Sequence, residues 1–411
     1  MKTMVTLILL LTASVRAENW PGWRGPTGVG YTAEKNLPLR WDGKTGENVL
    51  WKASTGGLGH STPVVWGDYV FLTTSARQPD GEVGKVVPDH HVIAFRVSDG
   101  RQLWRTRIAP GPCTCQFHEY AAPTPATDGK AVYVWFSSGV AAAVDFDGKL
   151  LWREQRNGVS IENQPACSSP VLFGDFVIIK CDPSNGKGFL QALDKRTGAL
   201  KWEQKRPKVY GMTSPILIEV NEKPQLVVSG QGLEGIHPAD GTLIWKVSAG
   251  EGTPAYGSGL VVAYSRRYGE KGVAVAPSGS GDVTATHVRT KFADDGFGGG
   301  FSSPIIAQGH VYCNPDFKKR LNCWNLRTGE LVYKQEVKEM PDYSSGIATA
   351  DGLLYYVSAG SSVIVRAGPK FELLAVNSLG GGDGRCGPSA AVSNGRIFVR
   401  DFNFLWCIGG K

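Results

Sequence analysis

Along most of the chain, apolar and aromatic residues come in runs of about 4 to 8, each cut by Gly, Asp, Asn or Pro. Beyond the first 17 residues, no segment keeps a 3.6-residue apolar spacing over three turns, so strands are predicted almost throughout. One phrase returns: "VSDGRQLWRTR" at Val97–Arg107, "DFDGKLLWREQ" at Asp145–Gln155, "LDKRTGALKWEQKR" at Leu193–Arg206, "PADGTLIWKVS" at Pro238–Ser248 and, weakened, "LRTGELVYKQE" at Leu326–Glu336. Upstream of each copy stands a β-rich segment such as "GDFVIIK", and before that a Ser-Pro or Thr-Pro lead-in such as "SSPVLF". Lead-in strand, hairpin strand, third strand and Trp strand make one four-stranded antiparallel meander.

Lead-ins recur at Ser61, Ala122, Ser168, Thr213, Thr253, Ser302, Ser344 and Gly387. Anchors of the closing strand fall at Trp51, Trp104, Trp152, Trp202, Trp245, Thr290, Tyr333 and about Val376, in steps of 43 to 53 residues. The last lead-in is followed by only three strands, "PSAAVS", "RIFVRD" and "NFLWCIG", while "ENVLWKAS" near the other end is a Trp strand without a blade. The fold class predicted is therefore all-β: an eight-bladed β-propeller of four-stranded antiparallel blades, closed by pairing the N-terminal strand with the C-terminal ones, which leaves no exposed sheet edge. Trp51, Trp104, Trp152, Trp202 and Trp245 are read as structural. A ring laid across the seam to the next blade removes roughly 200 Å² from water, several kcal/mol at about 25 cal/mol per Å².

Composition adds where the protein works. "MKTMVTLILLLTASVRA" has a Lys, an apolar run too short to span a bilayer, and small residues at Val15 and Ala17, which reads as a signal peptide of residues 1–17 cleaved after Ala17. Residues 18–411 are then one propeller domain, periplasmic or secreted, without a transmembrane segment and monomeric. The formal charge of +7 falls to +5 without Lys2 and Arg16, and the basic residues are scattered, so nucleic acid is excluded as a partner. Eight Cys in an exported chain point to disulfides. Cys167 with Cys181, and Cys313 with Cys323, flank hairpins and either bridge neighbouring strands or remain buried thiols; Cys386 and Cys407 stay unpaired with each other.

The loops leading into the first strand and joining the second to the third open on one face of a blade. That face gathers His60, Asp89, His90, His91, Cys113, Cys115, His118, Glu119, Cys167, Cys181 and Asp182 on the first three blades. Cys113, Cys115, His118 and Glu119, with His91 added, are the metal candidates; His60, His90 and Asp182 are candidates for a binding face. Against metal stands the preference of exported thiols for disulfides. "GFGGGFSSP" and "LGGGDGRCGP" precede no helix and are not phosphate cradles. "NWPGWRGPTGVG" either stacks a sugar on Trp20 or Trp23 or clamps the outside of a blade.

The repeat Ala192–Trp202, A-x-D-x-x-T-G-x-x-x-W, resembles that of PQQ-type (quinoprotein-like) β-propellers, and the similarity runs over nearly the whole mature chain. "NWPGWRGPTGVG", "GLGHSTPVVWGDYVFLTTSA" and "GSGDVTATHV" are similar to exported planctomycete-type members. The fold also resembles the propeller lipoprotein of the outer-membrane β-barrel assembly machine. The resemblance implies a non-enzymatic scaffold that meets envelope proteins or a small ligand on its loop face. The alternatives are a dehydrogenase using PQQ and Ca²⁺, and a metal- or carbohydrate-binding propeller. The chain has no adjacent Cys-Cys pair of the kind such dehydrogenases carry over the cofactor, and no ordered Glu, Asn and Asp set for Ca²⁺ and a base.

Overall fold

Eight antiparallel sheets form the blades of the computed structural model, which describes residues 18–410 except 78–84, 114–119, 157–167, 184–185, 208–212, 265–271, 293–301, 316 and 382–387. Blades 1 to 7 span 64–108, 126–155, 171–206, 216–247, 255–291, 305–336 and 347–377. Blade 8 takes its three inner strands from Ala391–Ser393, Arg396–Arg400 and Phe404–Ile408 and its outermost strand from Val49–Ser54, with Trp51 opposite Cys407. The ring closes as predicted.

Middle strands lie between two neighbouring blades and are buried on both faces, as Ala131–Phe136 is at every position. This is why they read as unbroken apolar runs, whereas an outermost strand such as Leu200–Arg206 mixes exposed and covered positions. In all eight blades the register slips once near the start of the outermost strand. Such a bulge turns the strand locally.

The repeated Trp works across the seam, as expected. Trp51, Trp104, Trp152 and Trp202 donate their indole N–H to the carbonyls of Val97, Phe146, Lys195 and Pro238 at 2.9, 2.7, 2.8 and 3.2 Å, each in the turn before the next blade's outermost strand. Each ring covers that turn's glycine. A Cβ on Gly198 (φ +75°) would come within 2.7 Å of Trp152, so the position requires glycine both for its left-handed backbone and for space. The Thr-Gly turn thus receives the Trp of the preceding blade. Trp245 departs from the pattern: its indole turns back to Gln225 Oε1 (2.8 Å) within blade 4, while the chain between the third and outermost strands of blade 5 adds Gly281–Asp282 alongside blade 4.

The Ser/Thr-Pro lead-ins also join blades. The amides of Thr62, Thr124 and Ser169 donate to the hydroxyls of Thr124, Ser169 and Ser214 at 2.9–3.0 Å, linking blades 1 to 4. Ser303 and Ser345 do the same to Ser345 and Ser389 at 3.0 and 3.1 Å, linking blades 6 to 8.

For the cysteines of blade 6 the structure takes the second of the two alternatives the sequence left open, buried thiols. Cys313 stands opposite Asn322 and Cys323 opposite Tyr312, so the two thiols point to opposite faces of blade 6, in different core clusters, and do not bridge. Cys181 is likewise a buried thiol, and its expected partner Cys167 lies outside the described residues, as do Cys386 and residues 1–17.

Candidate functional site

The expected metal set is not assembled among the described residues. Cys115, His118 and Glu119 lie outside them. Cys113 is a buried thiol packed with Trp135, Cys181 and Phe189 between blades 2 and 3, and burial raises its pKa. His91 instead sits with Nδ1 3.2 Å from Nη2 of Arg105, which itself donates to the carbonyls of Thr55 and Gly56 beside blade 8. Burial, with Arg105 next, holds His91 at about 4. These two candidates serve different seams. No group of three His, Cys, Asp or Glu suited to a metal ion occurs among the described residues.

Two other candidates prove internal. His90 is fully buried, stacked on Phe136 at 4.5 Å with Nε2 2.7 Å from Ser138 Oγ, and burial pulls it down to about 3. The Asp182 carboxylate lies 2.6 Å from Lys180 Nζ and 3.3 Å from Arg206 Nε, and Arg206 also holds Glu234. Lys180 donates across to the carbonyl and hydroxyl of Thr213 at 3.1 and 3.0 Å, which makes this a buried ionic rivet between blades 3 and 4. The sequence signal for it was the lone Lys180 in the apolar run "FVIIKC". His60 is half-buried, its ring edge-on to Phe402 at 5.0 Å, and remains a candidate of the loop face.

The axis of the ring holds what the sequence reading placed elsewhere. Residues 18–32 run against the inner strands of nearly every blade. Trp20 exchanges backbone hydrogen bonds with Val65 of blade 1 at 2.8 and 2.9 Å. The carbonyl of Pro21 accepts from Thr127 of blade 2 at 2.8 Å. Arg24 Nη2 donates to the carbonyl of Pro304 before blade 6 at 3.0 Å. Tyr31–Thr32 pairs in parallel with the innermost strand of blade 7, and Ser393 of blade 8 donates to the carbonyl of Glu18 at 2.7 Å. "NWPGWRGPTGVG" is therefore a plug in the channel and does not clamp a blade from outside. Trp20 is completely buried and offers no face to a sugar, with Gly25 (φ +79°) against its ring. Beside the plug remains a cavity of about 390 Å³ between residues 21–28 and blades 1 to 4, lined among others by Trp23, Trp66, Asp128, Val171 and Ile216.

A planar tricarboxylate quinone needs cationic donors, and Ca²⁺ needs several oxygens. The lining of this cavity contains no cationic side chain, and its carboxylate, Asp128, is already committed to Lys195 and Tyr133 at 3.2 Å. The described residues that line this cavity do not fit PQQ with Ca²⁺.

The sequence matches the family model described as outer membrane protein assembly factor BamB over residues 27–181 and 168–368. The chain belongs to that family. No curated protein matches it. In fold it is similar to quinohemoprotein alcohol dehydrogenase from Comamonas testosteroni, with TM-score 0.64 and 13% identity over 96% of this chain and 81% of the other. A europium-containing methanol dehydrogenase gives 0.63 and 12% over 95% and 89%. BamB from Moraxella catarrhalis gives 0.53 and 14% over 83% and 98%. At these identities the likeness is one of fold, which scaffolds and dehydrogenases share. Among the described residues no helix is long and apolar enough to cross a membrane.

Proposed function

We propose that this protein is an exported, non-enzymatic scaffold of the cell envelope, periplasmic or secreted, that binds a protein partner through the loop face of blades 1 to 3. The observation that carries this reading is the plug: residues 18–32 occupy the axis against the inner strands of the blades, which leaves recognition to the rim. Membership in the BamB family supports a partner-binding role. The same face carries the long connections of the first blades, and extended loops on a rigid scaffold are where recognition concentrates. His60 and His91 belong to the loops of that face, and the sequence reading assigns to it Cys115, His118 and Glu119, which lie outside the described residues.

The test is capture from envelope extract by the full mature chain and by the variant His118→Ala with Glu119→Ala. The wild type retains a partner and the double variant loses it, while both melt within a few degrees of each other. Equal capture by the two proteins moves the binding surface elsewhere. Stoichiometric uptake of PQQ with Ca²⁺, read by its absorption, overturns the scaffold reading in favour of a dehydrogenase.

A further inference from the structure

Among the described residues, the lead-in links that join blades 1 to 4 and 6 to 8 do not recur around blade 5, between Thr253 and Ser303. The Ser303 hydroxyl is buried without a hydrogen-bond partner. Next to it, the carbonyl of Pro304 accepts from Arg24 Nη2 at 3.0 Å, and the second acceptor of that nitrogen is the carbonyl of Val29 at 2.5 Å. Arg24 is only 2% exposed, yet its Nε and Nη1 have no partner, and no carboxylate pairs with it among the described residues. Tyr356 of blade 7 lies against Ile305 and Gly346, and its hydroxyl too is buried without a partner. Three side chains thus bring unused donors to the seam between blades 6 and 7, on the inner side of the ring.

We infer that Arg24 Nε and Nη1, the Tyr356 hydroxyl and the Ser303 hydroxyl form a binding site for one small monovalent anion, chloride or a formate-sized carboxylate, which ties the plug to blades 6 and 7. A guanidinium keeps its charge in proteins, and a buried charge requires either a partner of opposite sign or strong compensation. Two backbone carbonyls satisfy only one of its nitrogens. Burial lowers Arg24 to about 10, which leaves it cationic at neutral pH. Burial, with Cys313 beside it, raises Tyr356 well above the ordinary range, so its hydroxyl keeps the proton it would donate. The site is small on one side, since a Cβ on Gly30 would meet Arg24 Nη2 at 2.5 Å; the open edge is the one bearing Nε and Nη1.

The experiment uses the full mature chain. Chloride is titrated against gluconate at constant ionic strength while the melting temperature is followed, and crystals soaked in bromide are searched for anomalous scattering. The expected result is a saturable rise in melting temperature and one bromide within hydrogen-bond distance of Arg24 and Tyr356. Arg24→Gln abolishes the chloride dependence, and Tyr356→Phe weakens it about tenfold, as loss of one hydrogen bond to a charged group does. A melting temperature that does not respond to chloride, ordered water in place of bromide, or unchanged affinity in Tyr356→Phe overturns the inference. Should Arg24→Gln fail to fold, the wild-type bromide map and Tyr356→Phe decide it.

Discussion

The two halves of the ring share one fold but are joined by different chemistry. From the seam between blades 8 and 1 to that between 3 and 4, each junction repeats a single device, an indole across the turn glycine of the next blade. From blade 4 onward the device lapses. Trp245 turns inward, Thr290 replaces the indole with a hydroxyl to the carbonyls of Leu326 and Arg327 at 3.0 and 3.1 Å, and Tyr333 meets Phe371 edge-on at 5.8 Å. Between blades 7 and 8, Leu37 and Trp41 enter from the N-terminal segment and join the core of both. The irregular half is also where Arg24 and Tyr31–Thr32 dock. A closed ring needs every seam filled, but not filled alike, so the less regular seams are free to accept a segment from outside the repeat.

The largest effect should come from removing what serves both halves. Deleting residues 18–55 takes away the plug, the Leu37–Trp41 wedge and the closing strand of blade 8. Differential scanning calorimetry should then show no cooperative transition, and a truncated chain melting like the wild type would break the closure argument. Within the regular half, Trp152→Ala removes a nearly buried indole and strands the Lys195 carbonyl, for an expected loss of about 3–5 kcal/mol in urea unfolding. A loss below about 0.5 kcal/mol, typical of surface changes, would show that the ring does not hold the seam.

Acid should weaken the regular half next. Folding lowers His90 from 6.5 to about 3. Between those values the unfolded chain binds a proton that the native protein excludes, so this stability is fully present above about pH 6.5 and is lost as pH falls towards 3. The loss by pH 4 is about 3 kcal/mol, read as a steep fall in stability over that window which His90→Gln flattens. An equally steep fall in that variant would assign acid sensitivity elsewhere. The smallest effect belongs to the irregular half. Thr290→Val leaves two carbonyls without their hydroxyl donor and should cost about 1–2 kcal/mol; a cost equal to that of Trp152→Ala would erase the distinction between the halves.

Blade number, strand order, ring closure and the seam role of four tryptophans were legible in the sequence because they follow from local rules. A turn glycine fixes φ within one residue, a strand shows its burial in its run of side chains, and a repeat multiplies both signals eight times. The blades' facing surfaces also explain why apolar runs, and not alternation, mark the middle strands. What only the tertiary structure decided are interactions between residues far apart in the chain. Nothing near Trp20 or Arg24 in sequence says that they lie on the axis, since the plug is placed by inner strands between Val65 and Ser393. Nor does the spacing of Cys313 and Cys323 reveal that a one-residue offset in register sends them to opposite faces. His90 and His91 are neighbours in the chain, yet the pleat buries one and leaves the other half-covered at a different seam. The candidate site was less legible than the fold for this reason: a repeat writes its architecture many times, whereas each of these contacts is written once and takes its meaning from partners on other strands and blades.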